Sequence, residues 1–169
     1  MKSFAIAILG LSVLGATAYA DNQSSQTKEP QMQTLSIADK NQADSKAFLA
    51  DNKKKPGVVT LADGLQYKII TPGKGSHPTD ADMVTVHYEG KLIDGTVFDS
   101  SYKRGEPITF PVNGVIQGWV EALKLMQPGA TWELYIPSAL AYGEQGAPPS
   151  IGPNQALIFK VNLLEVKKA

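Results

Sequence analysis

The stretch Val84-Thr85-Val86-His87-Tyr88-Glu89-Gly90, followed by Asp94-Gly95-Thr96-Val97-Phe98-Asp99-Ser100-Ser101, decides the fold. Val84, Val86 and Tyr88 alternate with Thr85, His87 and Glu89, the period-two pattern of a strand with one apolar face. Asp94-Gly95 reads as a turn. The same alternation recurs on both sides of this stretch. Leu65, Tyr67 and Ile69 alternate with Gln66 and Lys68. Trp132, Leu134 and Ile136 alternate with Thr131, Glu133 and Tyr135, and Leu157, Phe159, Val161 and Leu163 with Ile158, Lys160 and Asn162. Pro72-Gly73, Asn113-Gly114 and Pro128-Gly129 mark further turns. Segment 115–126 breaks the pattern: Val115, Trp119, Leu123 and Met126 recur at helical spacing and predict a short helix. A twisted sheet with one apolar face must cover that face, and one helix can do so. The expected class is α+β, a curved antiparallel sheet of five to six strands wrapped on one short helix.

Outside this body the chain changes character twice. Residues 1–20 carry Lys2, an apolar run from Phe4 to about Leu14, and Ala18-Tyr19-Ala20, the plan of a secretory signal peptide. The run is shorter than the ~20 apolar residues a membrane span needs, so no transmembrane span is expected. Residues 21–36 are rich in Gln, Ser, Asn and Thr and can bury little. From about Ile37 to Lys54 helix formers appear, with Ala43, Ala47, Phe48 and Ala50 near one face, until Lys55-Pro56-Gly57 stops them. Segment 21–55 therefore reads as a disordered-to-helical tether. A frayed spacer helix is favoured over an oligomerisation or docking arm, and monomer or dimer through 21–55 is left undecided. The domain that acts is 56–169.

Composition removes several function classes. The 169 residues hold 16 Lys+Arg and 16 Asp+Glu, and this balance argues against a nucleic-acid partner. No cysteine is present, which excludes disulfide scaffolds, thiolate metal sites and cysteine nucleophiles and suits an oxidising compartment. His77 lies in a turn before Pro78 and His87 on the polar face of a strand, and both read as surface residues. No metal ligand set, P-loop, dinucleotide fingerprint or nucleophile elbow occurs, so neither metal nor cofactor is expected. Tyr88, Phe98, Trp119, Tyr142 and Phe159 come from different elements, yet all fall where the apolar face should be. Alone, such a set is more often core than site. Asp99 directly after Phe98, and the long Gly/Pro-rich loop 143–153 after Tyr142, point toward a site.

Several of these motifs together resemble the FKBP-type peptidyl-prolyl isomerases. Val84-Thr85-Val86-His87-Tyr88-Glu89-Gly90 looks like that family's V-x-V-H-Y-x-G strand. Asp94-Gly95-Thr96-Val97-Phe98-Asp99-Ser100-Ser101 is similar to its D-G-x-x-F-D-S-S segment, and Val115-Ile116-Gln117-Gly118-Trp119 to its V-I-x-G-W helix start. Ala141-Tyr142-Gly143 and Leu157-Ile158-Phe159 resemble its A-Y-G loop and final strand. The matches run in order across about 56–169. The leader, Lys54-Lys55-Pro56-Gly57-Val58-Val59 and Gly64-Leu65-Gln66-Tyr67 look most like the bacterial Mip/FkpA branch, with a shortened N-terminal region.

The resemblance implies a rotamase acting on proline-containing polypeptide clients. Trp119 would floor the pocket, with Tyr88, Phe98 and Phe159 as walls. Val115 and Ile116 would form its edge, the Ile116 N–H acting as a donor. Tyr142 would offer its hydroxyl to a substrate carbonyl. Asp99 would set a carboxylate beside the twisting amide, and Arg104 would be among the substrate-binding residues. Ile151 would contribute from the loop. Ile108 stands where an aromatic is frequent and Ala147 where a larger side chain is often found, which should loosen one wall and alter affinity for macrolide inhibitors of the FKBP class. The leader implies export, to the periplasm first and otherwise to the cell surface or medium. A non-catalytic proline-segment binding module or holdase chaperone on the same fold is the alternative.

Overall fold

The computed structural model describes residues 35–169. The expected signal peptide and the tether up to residue 34 lie outside the described residues.

Seven strands form one antiparallel sheet: β1 (Val58–Thr60), β2 (Gln66–Thr71), β3 (Met83–Leu92), β4 (Val97–Ser100), β5 (Ile108–Pro111), β6 (Thr131–Ile136) and β7 (Leu157–Lys167). Their order is β1-β2-β6-β7-β3-β4, with β5 pairing β3 beside β4. The two long strands, β3 and β7, pair along their length from Met83–Lys167 to Leu92–Leu157 and form the spine. The apolar face expected from the alternation is the core: Val84, Val86, Leu134, Ile136, Leu157, Val161 and Leu163 are all buried.

Helix α3 (Gln117–Leu125) covers that face with Trp119, Val120, Ala122 and Leu123. Gly118 sets how close it comes. A Cβ there would lie 2.5 Å from Ile136 Cγ2, so only glycine lets the first turn of α3 rest on β6.

The other face departs from expectation. A second helix, α1 (Ile37–Asn52), is capped by Ser36, whose hydroxyl accepts the Asp39 N–H at 3.1 Å. It is not a frayed spacer but is docked on the domain. Asn41, Ser45, Phe48 and Asn52 share one face at i, i+4, i+7, i+11 spacing. Asn52 Nδ2 donates to Gln66 Oε1 at 3.0 Å, Gln66 Nε2 donates to Leu49 O at 2.9 Å, and the Phe48 ring tilts onto Tyr135 at 6.1 Å. Gln66, Tyr135 and Ile158 are register partners in a row across β2, β6 and β7. The alternation put all three on the polar side, yet all are buried. Burial pushes the Tyr135 phenol up to about 12, with Glu133 adding to the shift.

Asp82 fastens the start of β3 to the chain end. Its buried carboxylate accepts from Lys168 Nζ at 2.9 Å, Thr79 N–H at 2.6 Å, Thr79 Oγ1 at 2.9 Å and Ala169 N–H at 3.2 Å. Lys168, with help from the Thr79 amide, holds this carboxyl well below its ordinary value of 3.8. A depressed carboxyl stabilises the fold fully above its unfolded pKa and loses that contribution as pH falls toward the folded one. Asp82→Asn therefore melts below the parent at pH 7, and the gap narrows as pH drops below 3.8. A gap that stays constant down to acid unfolding would refute this role for Asp82.

Candidate active site

A cavity of about 500 Å³ opens between α3 and the concave face of the sheet. Tyr88, Phe98, Asp99, Phe110, Gly114, Val115, Ile116, Trp119, Tyr142 and Phe159 line it. The size lies within the ~300–1,000 Å³ of small-ligand pockets.

Trp119 is at the centre. Tyr88, Phe110 and Phe159 meet its ring nearly perpendicularly, at centroid distances of 5.2, 6.0 and 5.3 Å. Phe98 meets Phe159 edge-on at 5.5 Å. Edge-to-face packing sets positive ring edges against negative faces and holds each ring at a fixed tilt. Gly90 makes the wall possible. It pairs with Asp99 on one side and Phe159 on the other, and a Cβ there would lie 2.6 Å from Phe159 and 2.7 Å from Phe98.

The segment Asp99-Ser100-Ser101 builds the polar side, each residue with its own task. Ser100 Oγ caps the short helix α2 (Ser101–Arg104) by accepting the Lys103 N–H at 3.3 Å. Ser101, fully buried, has a hydroxyl that accepts the Tyr88 N–H at 2.7 Å and lies 3.2 Å from Tyr88 O, latching the start of α2 to β3. Asp99 accepts hydrogen bonds from the Tyr88 hydroxyl and from Arg104 Nη1. One turn of α2, ended by Gly105 at φ 79°, returns Arg104 to that carboxylate, and its Nη2 also donates to Tyr88 Oη at 3.1 Å. Tyr88, Asp99 and Arg104 thus form a closed triangle at the cavity rim. Asp99 keeps 39% of its side-chain exposure, so the pair orients groups more than it stabilises the fold.

Burial alone would raise the Asp99 pKa, but the hydrogen bonds from Tyr88 and Arg104 and the charge of Arg104 outweigh it and hold the carboxyl below 3.8. Burial, reinforced by Asp99, pushes the Tyr88 phenol above 10. Between those values Asp99 stays an anion and Tyr88 neutral, so neither group changes charge over that range. A reaction run by this site keeps kcat/KM within about twofold from roughly pH 5 to pH 9. A bell-shaped profile in that window would contradict a proton-free mechanism.

Tyr88, Phe98, Asp99, Val115, Ile116, Trp119, Tyr142 and Phe159 meet at one cavity, as the sequence grouped them. Three residues are placed differently. Arg104 lies behind Asp99 and Tyr88 and does not line the cavity. Ile151 is buried, paired with Ala147, and supports the loop from inside. Ile108 packs against the core, and the aromatic on its strand is Phe110. The sequence reading missed Phe110. Ile108-Thr109-Phe110 puts Ile108 and Phe110 on one face at period two, and that signal could have found it. His87 is also more than a surface residue: Nδ1 lies 2.9 Å from Ser101 Oγ, and its ring stacks on Tyr102 at 4.7 Å. Among the described residues, no group of three or more His, Asp or Glu side chains could hold a metal ion, and no helix is long and apolar enough to cross a membrane.

An aromatic cavity between a curved sheet and one short helix, with one carboxylate at its rim, is the architecture of the FKBP type. The chain belongs to the FKBP-type peptidyl-prolyl cis-trans isomerase family, whose profile matches residues 74–164. A second profile, the domain amino-terminal to FKBP-type isomerases, matches residues 8–69. The peptidyl-prolyl cis-trans isomerase Mip of Coxiella burnetii is 68% identical over 124 residues, covering 73% of this chain and 54% of that protein. The outer membrane protein MIP of Legionella longbeachae is 57% identical over 132 residues, covering 78% of this chain and 57% of that protein. The crystal structure of FkpA from Escherichia coli matches with a TM-score of 0.76 at 48% identity, over 78% of this chain and 62% of that one. A peptidyl-prolyl isomerase from Pseudomonas syringae matches with a TM-score of 0.74 at 40% identity, over 80% of this chain and 99% of that one. The chain spans about half the length of the curated relatives it matches.

Proposed function

We propose that this protein is a peptidyl-prolyl cis-trans isomerase that speeds rotation about X-Pro bonds in exported protein clients. The observation that carries the proposal is the ring of aromatic side chains around Trp119, open to solvent on one side and bordered by the Asp99 carboxylate. The leader-like segment and a relative named as an outer membrane protein support export.

The reaction breaks no bond. An X-Pro peptide must rotate past a barrier that reaches ~18–20 kcal/mol for peptide bonds in general, and unaided exchange takes roughly tens to hundreds of seconds. The planar amide is the more charge-separated form and is favoured by water. Twisting removes the resonance and leaves a less polar group. A proline ring set on Trp119 between Tyr88, Phe98, Phe110 and Phe159 holds its amide in a dry, weakly polar space, which disfavours the planar form relative to the twisted one. Fixing the ring while the preceding carbonyl turns adds orientation. The Ile116 N–H, free of intramolecular partners among the described residues, and the Tyr142 hydroxyl at the rim are the donors for substrate carbonyls. An acceleration of about 10⁵-fold asks roughly 7 kcal/mol of these effects together.

A protease-coupled assay on an X-Pro peptide, with inhibition by an FKBP-directed macrolide as control, tests the proposal. Acceleration over the blank that the macrolide abolishes is the expected result. No acceleration would leave a binding module, which macrolide binding without turnover would then identify.

A further inference from the structure

The loop between Tyr142 and Ala156 closes on itself. The Gly146 N–H donates to Tyr142 O at 3.1 Å, Ala147 and Ile151 exchange backbone bonds at 2.9 and 3.0 Å, and the Asn154 N–H donates to Gly143 O at 2.9 Å. Its exit is held from outside, by α1. Ser45 Oγ donates to Asn154 O at 3.0 Å and accepts the Ala156 N–H at 2.8 Å. Asn41 Nδ2 donates to Pro153 O at 2.8 Å. Ser45 keeps 6% of its exposure, so water cannot replace those bonds if its hydroxyl is removed. Asn154 is the non-glycine residue with positive φ among the described residues, at 57°, a backbone state that its surroundings must hold.

Two short paths lead from Ser45 to the cavity. Through Asn154 and its bond to Gly143 the clamp reaches Tyr142, the next residue in the chain. Through Ala156 it reaches the start of β7, which carries Phe159. Both Tyr142 and Phe159 line the cavity, whereas Ser45 and Asn41 touch neither the cavity nor each other's acceptors.

We propose that Ser45 and Asn41 of α1 are positioning residues for the Tyr142 edge of the prolyl cavity, so that catalytic efficiency depends on a helix lying outside the matched isomerase region 74–164. The inference rests on the isomerase reading of that cavity. The sheet ladder holds β7, and the loop's own bonds hold its shape. Ile151 packs the loop onto the core and the Gly143 N–H donates to Ser138 O at 2.8 Å, so the helix contacts are the remaining tie at the loop exit, and removing them widens the range of positions the Tyr142 hydroxyl takes.

The experiment uses the full chain. Ser45→Ala lowers kcat/KM on an X-Pro peptide about tenfold, the effect of one or two lost hydrogen bonds, and Ser45→Thr, which keeps the hydroxyl, restores most of it. In a Tyr142→Phe background, Ser45→Ala costs less than about twofold more, because the group it positions is already gone. A general structural defect would instead multiply the two losses. Amide hydrogen exchange gives a readout that does not need activity: the Asn154 and Gly146 amides exchange faster in Ser45→Ala while those of β3 do not change. If the chain shows no isomerase activity but the loop amides respond, the isomerase reading fails and the clamp stands. Unchanged loop exchange, unchanged kcat/KM or multiplicative losses overturn the positioning role. If Ser45→Ala does not fold, Asn41→Ala, at a half-buried position, is carried through the same cycle and exchange measurement with the same criteria.

Discussion

Asp99→Leu lowers kcat/KM on an X-Pro peptide about 10²-fold, in the range seen when one preorganised electrostatic group is removed from a site, and the protein stays folded. Leucine keeps the branched outline of aspartate but offers no acceptor. The Tyr88 hydroxyl and Arg104 Nη1 lose their shared partner at once. Arg104 becomes an unopposed cation beside the Tyr88 ring, 5.7 Å from its centroid, and draws water to the rim of the cavity. Tyr88, which meets Trp119 edge-on, loses the tether that sets its tilt. Asp99→Asn keeps an acceptor for Tyr88 and should fall between parent and leucine variant. Circular dichroism establishes folding and the protease-coupled assay the rate. A folded Asp99→Leu protein at full rate would remove the carboxylate from the mechanism.

Trp119→Ala is the largest stability effect expected, about 3–5 kcal/mol, the usual range for a buried tryptophan truncated to alanine. Trp119 keeps 4% of its exposure and meets three aromatic rings edge-to-face. It is also the residue by which α3 closes the concave face of the sheet. Removing it opens the floor of the cavity into the core, so isomerase activity is lost together with stability. Urea unfolding with a midpoint unchanged from the parent would show that the ring is not the keystone between helix and sheet. Gly118, one residue before it, explains why no neighbouring side chain can fill the gap: β6 already presses on the helix there.

Both predictions concern residues that the sequence exposed clearly. The alternation around Tyr88 placed that ring on the buried face, and the helical spacing of Trp119 and Leu123 placed α3 over it, because each pattern reports burial of a single apolar face. The grouping of Phe98, Asp99, Tyr142 and Phe159 came from linked motifs instead. Period and spacing alone could not have told a packed core from a pocket. Phe110 shares its strand face with Ile108 two positions earlier, and period two alone does not say which of the two reaches the cavity.

The second helix shows where such reading stops. Hydrophobic periodicity detects a helix that docks through apolar side chains. Helix α1 docks mainly through Asn41, Ser45 and Asn52, at the right spacing but with polar side chains, and so read as a solvated spacer. The acceptors that justify those side chains lie on Gln66, Pro153 and Asn154, far away in the chain. The same helix packs on Gln66 and Tyr135, polar-side positions by alternation, and both are buried.

The sequence by itself determined the four long strands of the seven, the helix that covers them and most of the aromatic residues of the pocket, because local periodicity and linked motifs are written along the chain. Only the tertiary structure decided that Phe110 rather than Ile108 walls the cavity, that Arg104 acts behind Asp99, and that α1 grips the loop bearing Tyr142. Each of those depends on the meeting of residues distant in sequence, where one polar group is satisfied only because another has been carried to it.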